Sequence, residues 1–187
     1  MTQTILHPNP TDDIQSVPQW TDDCWKRYYE LNNRCQYSRL YHQKRHSFYS
    51  FWDNFFTAMS LISGTAIFST LQYENHDLNK WFGGAVVIMT AFQLVFGLKD
   101  KAHLHAGLST EYKKLESAQV AKGVLDSQLL DVYEAAILSI EANEPPDLPL
   151  LVRICQNELA FANGGKVTDI CWFQRWTAHF IPWSSVD

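Results

Sequence analysis

Between Thr21 and Ser63 the chain has neither glycine nor proline. These are the strongest local breakers of regular structure, so nothing in that stretch interrupts a helix. Charge is missing altogether from two other stretches, Phe55–Leu71 and Trp81–Leu98. Excess positive charge is missing from the whole: the 187 residues carry a net charge of −5, so nucleic acid is not expected as a partner. Cysteine is sparse, and Cys24, Cys35, Cys155 and Cys171 form no CxxC pair. Their scatter fits reduced, partly buried thiols in a cytosolic compartment. The start, Met1–Pro18, is polar and has no apolar core, so it does not read as a signal peptide. There is no strand-period alternation, internal repeat or low-complexity tract. No Walker loop, GxSxG, HExxH or GxGxxG occurs. Enzyme chemistry is therefore not expected, and neither is a cofactor or a metal.

What is present is a pair of apolar runs of spanning length. A hydrocarbon core about 30 Å thick needs roughly 17–25 apolar residues in a helix. Phe55–Leu71 and Trp81–Leu98 sit at the short end of that window and are joined by the polar connector Gln72–Lys80. Trp52 and Trp81 stand at their mouths, where interfacial tryptophans are enriched. The reading is a transmembrane helical hairpin over residues 51–98. Mean hydropathy of the chain is an ordinary −0.23, as expected if most residues lie outside lipid. A soluble bundle with two buried, uncharged helices is the competing reading. Six hydroxyl residues in the first run (Thr57, Ser60, Ser63, Thr65, Ser69 and Thr70) give it some support. A buried helix would still show one polar face, however, and these runs lack one.

The remaining chain falls around the hairpin. Residues 1–19, with Pro8, Pro10 and Pro18, read as a flexible arm. Thr21 is a plausible helix cap, followed by Asp22 and Asp23 in the first turn, where the helix dipole favours acids. A helix over residues 20–50 then leads into the membrane, with Trp25, Tyr28, Tyr29, Leu31, Cys35 and Leu40 at roughly helical spacing. The second membrane helix is predicted to continue to about Ala121 within a helical region, 99–165. Further helices are predicted over Ser127–Glu141 and Leu148–Ala162, the latter introduced by Asp147 as a cap and stopped by Asn163-Gly164-Gly165. Residues 166–187 form a Trp-rich tail that either docks on these helices, the favoured reading, or lies in the headgroup layer. The fold class is all-α: a two-helix hairpin continuous with long cytosolic helices that form a small bundle. Arg34, Arg39, Lys44 and Arg45 precede the first run, and Lys99, Lys101, Lys113 and Lys114 follow the second. The positive-inside rule then places both termini in the cytoplasm.

Polar and small residues inside the hairpin are the candidate functional positions. Gly83, Thr90 and Gly97 recur every seven residues on the second helix, and Ser60 and Gly64 form a small-xxx-small pair on the first. Such residues let helix backbones approach closely. They join either the two helices of one hairpin or neighbouring subunits. Gln93, near the middle of the second run, needs a partner when buried. It either bonds within the hairpin, to Ser60 or Thr57, or lines a pore assembled from several subunits. At the cytosolic mouth Asp53 either pairs with Lys99 or Lys101 or contributes to a charged vestibule. His42 and His46 share a helix face and read as interfacial cations or hydrogen-bonders; His103 and His105 point apart and cannot share a metal well.

The outgoing helix carries Asp100-Lys101-Ala102-x-x-His105-x-x-Leu108-x-x-x-Tyr112-x-x-Leu115 after a tight two-helix hairpin. This order resembles the SLATT superfamily, small bacterial two-transmembrane effectors associated with nucleotide-signalling and other anti-phage defence operons. The resemblance covers roughly residues 22–160 and leaves out the tail after Ile170. It implies a homo-oligomer in the bacterial inner membrane that permeabilises the bilayer when triggered by a sensor protein or nucleotide signal. The alternative is a membrane-anchored adaptor whose helical bundle binds a partner without forming a pore.

Overall fold

A computed structural model describes residues 22–70, 76–122 and 127–181, with side chains described outside 68–70 and 76–79. The N-terminal arm, the Thr21 cap, connector residues 72–75, Gly123 and Trp183 lie outside the described residues. Six helices make up the regular structure among those described: α1 (Asp22–Thr70), α2 (His76–Phe96), α3 (Leu98–Lys122), α4 (Ser127–Glu141), α5 (Pro149–Ala162) and α6 (Trp172–Thr177).

The unbroken run without glycine or proline becomes α1, a single helix of 49 residues. At 1.5 Å per residue it is about 74 Å long, more than twice a bilayer core. α2 starts at His76, five residues before Trp81, so the helix takes up part of the expected connector. It packs back along the last part of α1, with Phe92 5.1 Å from Phe56, ring to ring. α3 does not simply prolong α2. Gly97 between them has φ +55°, a left-handed conformation that glycine adopts without a side-chain clash.

α3 then lies along the first half of α1. Leu31, Cys35, Ser38 and His42 of α1 are buried at spacings of three and four, as are Leu98, Ala102, His105, Leu108 and Tyr112 of α3. That period places each row along one seam, as in a coiled coil. The motif read on the outgoing helix is thus the face that meets α1. Trp25 and Tyr29, counted with the apolar stripe of α1, are instead more than half exposed.

Two apolar clusters close the bundle on different sides of α1. Leu130, Tyr133 and Ile137 of α4 pack with Leu31, Cys35 and Tyr112. Leu150, Leu151, Ile154 and Cys155 of α5 pack with Tyr41 and Ala178. α5 begins with Pro149 at its first turn, a position that suits proline. Its N-cap is Leu148, not the expected Asp147, and no side chain caps it. All four cysteines are in the reduced thiol form. Burial pushes Cys35 up to about 11 and Cys155 up to about 12, so neither is a thiolate at neutral pH.

The expected pair of membrane spans is found in part. One stretch among the described residues, Lys80–Lys122 through Gly97, is long and apolar enough to cross a membrane, and only 6% of its most apolar window is buried. The last third of α1 does not meet the same measure. Its hydroxyls lower its hydropathy, and Leu71 lies outside the described residues.

Candidate functional site

Two polar constellations stand out, one inside the hairpin and one where α1 meets α3. In the hairpin the Gln93 side-chain amide faces three acceptors on α1: the Asp53 carbonyl at 2.9 Å, Asp53 Oδ1 at 3.1 Å and Thr57 Oγ1 at 3.0 Å. Thr57 also donates to the Asp53 carbonyl at 2.8 Å. Asp53, Thr57 and Gln93 thus form one polar knot that ties α2 to α1 a turn before Gly97. Asp53 takes Gln93 as its partner, whereas Lys99 and Lys101 stand apart from it. Lys101 Nζ lies 5.8 Å from the Tyr49 ring centroid, and both lysines are exposed.

Two other hydroxyls are met locally. Thr90 donates to the Val86 carbonyl at 2.8 Å and Thr65 to the Leu61 carbonyl at 2.5 Å, each one turn back along its own helix. A hydroxyl satisfied in this way no longer needs a partner across a helix interface. Ser60 Oγ is enclosed and has no hydrogen-bond partner among the described residues. A side-chain carbon built at Gly64, Gly83 or Gly84 meets nothing within 4 Å. Close approach of α1 and α2 within one chain therefore does not require these glycines. Gly97 is set by its backbone: at φ +55° any other residue would be strained. Replacing Gln93 with Leu is expected to weaken the contact between α1 and α2 by roughly 1 kcal/mol, the usual net worth of an intramolecular hydrogen bond. The midpoint of unfolding in a mixed-micelle detergent titration measures it.

The second constellation was not foreseen as a unit. His42 is wholly buried, not an interfacial cation, and its Nδ1 lies 2.9 Å from Nδ1 of the equally buried His105. Two bare lone pairs at this distance would repel, so one nitrogen carries a proton and the other accepts it. His42 Nε2 is 3.0 Å from Glu144 Oε1 but outside hydrogen-bond alignment. Tyr112 donates to the same Glu144 oxygen at 2.5 Å. The His42 ring stacks on Tyr112 at 5.9 Å, and His105 stacks on Tyr49 at 5.7 Å. Burial, aided by His42 and Arg45, pushes His105 down to about 4, so it is a neutral imidazole at pH 7. Burial raises the Glu144 carboxyl, but the contacts with His42 and Tyr112 outweigh it and hold that group below the usual carboxylate range.

The network continues toward the tail. Arg45 hydrogen-bonds Tyr49 through its hydroxyl, sits 4.6 Å over the Tyr49 ring and donates to the His179 carbonyl at 3.0 Å. His46, read together with His42, instead faces the Ala102 carbonyl at 3.0 Å. His103 is exposed while His105 is buried, so those two do diverge. The basic residues of α1 are largely committed to acids: Arg34 to Glu141 at 2.6 Å, Arg39 to Glu116 at 3.1 Å and Lys44 to Glu158 at 2.7 Å. The partners lie far along the chain, which hides them from any local reading of the sequence. Comparison of the chain with protein-family models, curated proteins and solved structures gives no match.

Proposed function

We propose that this chain is an effector of the bacterial inner membrane, with both termini in the cytoplasm. Copies associate through the glycine-bearing faces of the hairpin, and a trigger received by the helical bundle permeabilises the bilayer in an anti-phage response. One observation carries this reading. Gly64, Gly83 and Gly84 are open in the single chain, and the apolar window of α2 around Gly83 and Gly84 is almost entirely uncovered. Small residues facing open space in an uncovered apolar helix fit a second helix approaching closely. A simple anchor has no use for them. Two helices cannot enclose a water path, so permeation requires several copies.

The test is dye leakage from vesicles or cell depolarisation on expression. Gly83→Leu is expected to abolish leakage while the monomer fold stays intact, because the added side chain meets nothing within the chain. Gly97→Leu is a poorer probe because it also strains the backbone. If Gly83→Leu still assembles and leaks, the packing-face argument fails. Replacing both apolar segments with unrelated apolar helices separates this reading from a tethered adaptor, which keeps its activity after the exchange.

A further inference from the structure

We infer that the C-terminal segment around α6, Trp172–Ile181, is an interfacial element whose partner is the phospholipid headgroup layer on the bundle side of the hairpin. This deepens the membrane reading and rests on it.

The first support is where the segment is fixed. Thr177 and Ala178 are buried against the bundle. The His179 ring lies flat on Phe48, 4.5 Å between centroids and 2° between planes. Phe180 packs edge-on to both Phe48, at 5.0 Å, and Trp52, at 6.4 Å. These contacts pin the segment where α1 passes from its charged half to its apolar third.

The second is continuity. From Phe180 the rings run on through Trp52 to Phe56 at 5.6 Å, then Phe92 at 5.1 Å and Phe96 at 4.1 Å. The tail is thus joined without a gap to the ring ladder of the apolar helices. Its other rings are exposed, Trp172 by 78% and Trp176 by 71%, and Phe180, though packed on Phe48 and Trp52, stays 56% exposed with Ile181 exposed beside it. In water that area is unfavourable by about 25 cal/mol per Å². In the boundary layer tryptophan is a favoured residue. The third is charge. Arg175, whose guanidinium also lies 3.8 Å from Glu158, and Lys99 and Lys101 near the start of α3 are exposed and match the anionic phosphates of lipid headgroups. A second copy or another protein could cover the same rings, but continuity with the uncovered apolar helices favours lipid.

Spin labels on the full chain in vesicles of phosphatidylethanolamine and phosphatidylglycerol test this. Phe180→Cys and, separately, Ile181→Cys are labelled after Cys24→Ser and Cys171→Ser remove the accessible thiols. Leu94→Cys on α2 and Leu138→Cys on α4, both exposed positions, are the lipid and water references. At 180 and 181 the ratio of oxygen to nickel-chelate accessibility should exceed that at 138 severalfold and approach that at 94. A water-like ratio at 180 and 181 beside a lipid-like ratio at 94 overturns the inference and leaves the membrane reading standing. Labels at 180 and 181 shielded from both reagents show protein cover and also overturn it. A water-like ratio at 94 removes the membrane reading and this inference together.

Discussion

Replacing Tyr112 with Ala is expected to unfold the bundle or bring it close to unfolding. Tyr112 is fully buried, packs with Leu31, Cys35, Leu130, Tyr133 and Ile137, stacks on His42 and donates to Glu144. Deleting such a ring costs roughly 3–5 kcal/mol through lost burial and the cavity left behind. A typical domain has only about 5–15 kcal/mol in total. Tyr112→Phe separates the ring from its hydroxyl. It keeps the packing and leaves Glu144 short of a donor in a buried place, a loss of about 1–3 kcal/mol. Thermal unfolding followed by circular dichroism in detergent gives both numbers. If Tyr112→Ala melts within a degree or two of the parent, the seam between α1 and α3 is not the core it is described as here.

Acidification is the second large effect. The folded value of His105, about 4, lies below its ordinary 6.5. Between those values the unfolded chain binds more protons than the folded one, so stability falls as pH drops through that window and is fully present above it. The span corresponds to roughly 3 kcal/mol for a group as buried as this. His179, also held near 4 by burial with Arg45 and Lys44 nearby, adds a loss of the same sign. Glu144, held low, extends the loss to more acid pH. Asp147 is raised by burial and by Glu144, so it offsets part of that last stage. The charged and titratable groups around His105 are Tyr41, His42, Arg45, His46 and Tyr49 from α1 and Glu144 from the turn before α5. Unfolding midpoints at pH 7 and pH 5 should differ clearly for the parent and less for His105→Gln, which keeps the part due to His179. A pH dependence equal in the two proteins would overturn the assignment of the loss to His105.

Much of the helical layout was legible because it is written locally. Glycine and proline mark the ends of α4 and α5, and their absence marks the length of α1. The row Ala102, His105, Leu108, Tyr112 could be picked out by spacing, and all four proved to be buried together. The polar constellations were less legible because they join distant residues. His42 meets His105 across 63 positions, and Arg34 meets Glu141 across 107. Within its own helix His42 has only His46 as an apparent mate; both are hydrogen-bonders, one of the two readings of that pair, but each bonds to α3 and not to the other. Gln93 was readable as a buried amide in need of partners. Thr57 is among the partners its position suggests, whereas Asp53 reads either as a mate for Lys99 or Lys101 or as a vestibule charge, and Gln93 is not foreseen for it. Gly97 misled for a different reason. A glycine at seven-residue spacing looks the same whether it serves a packing face or a backbone turn, and only the sign of φ tells them apart.

That single left-handed residue has a mechanical consequence. α1 is a stiff strut running unbroken from the bundle to the far end of the hairpin, and its neighbour is two rods meeting at a pivot. Bending a continuous helix breaks hydrogen bonds, whereas glycine turns over a wide range of backbone angles at little cost. A change in tilt between bundle and hairpin is therefore taken up at Gly97. The seam between α1 and α3 would keep its register through such a change, and the Gln93 knot, one turn before Gly97, would resist it by holding α2 to the strut.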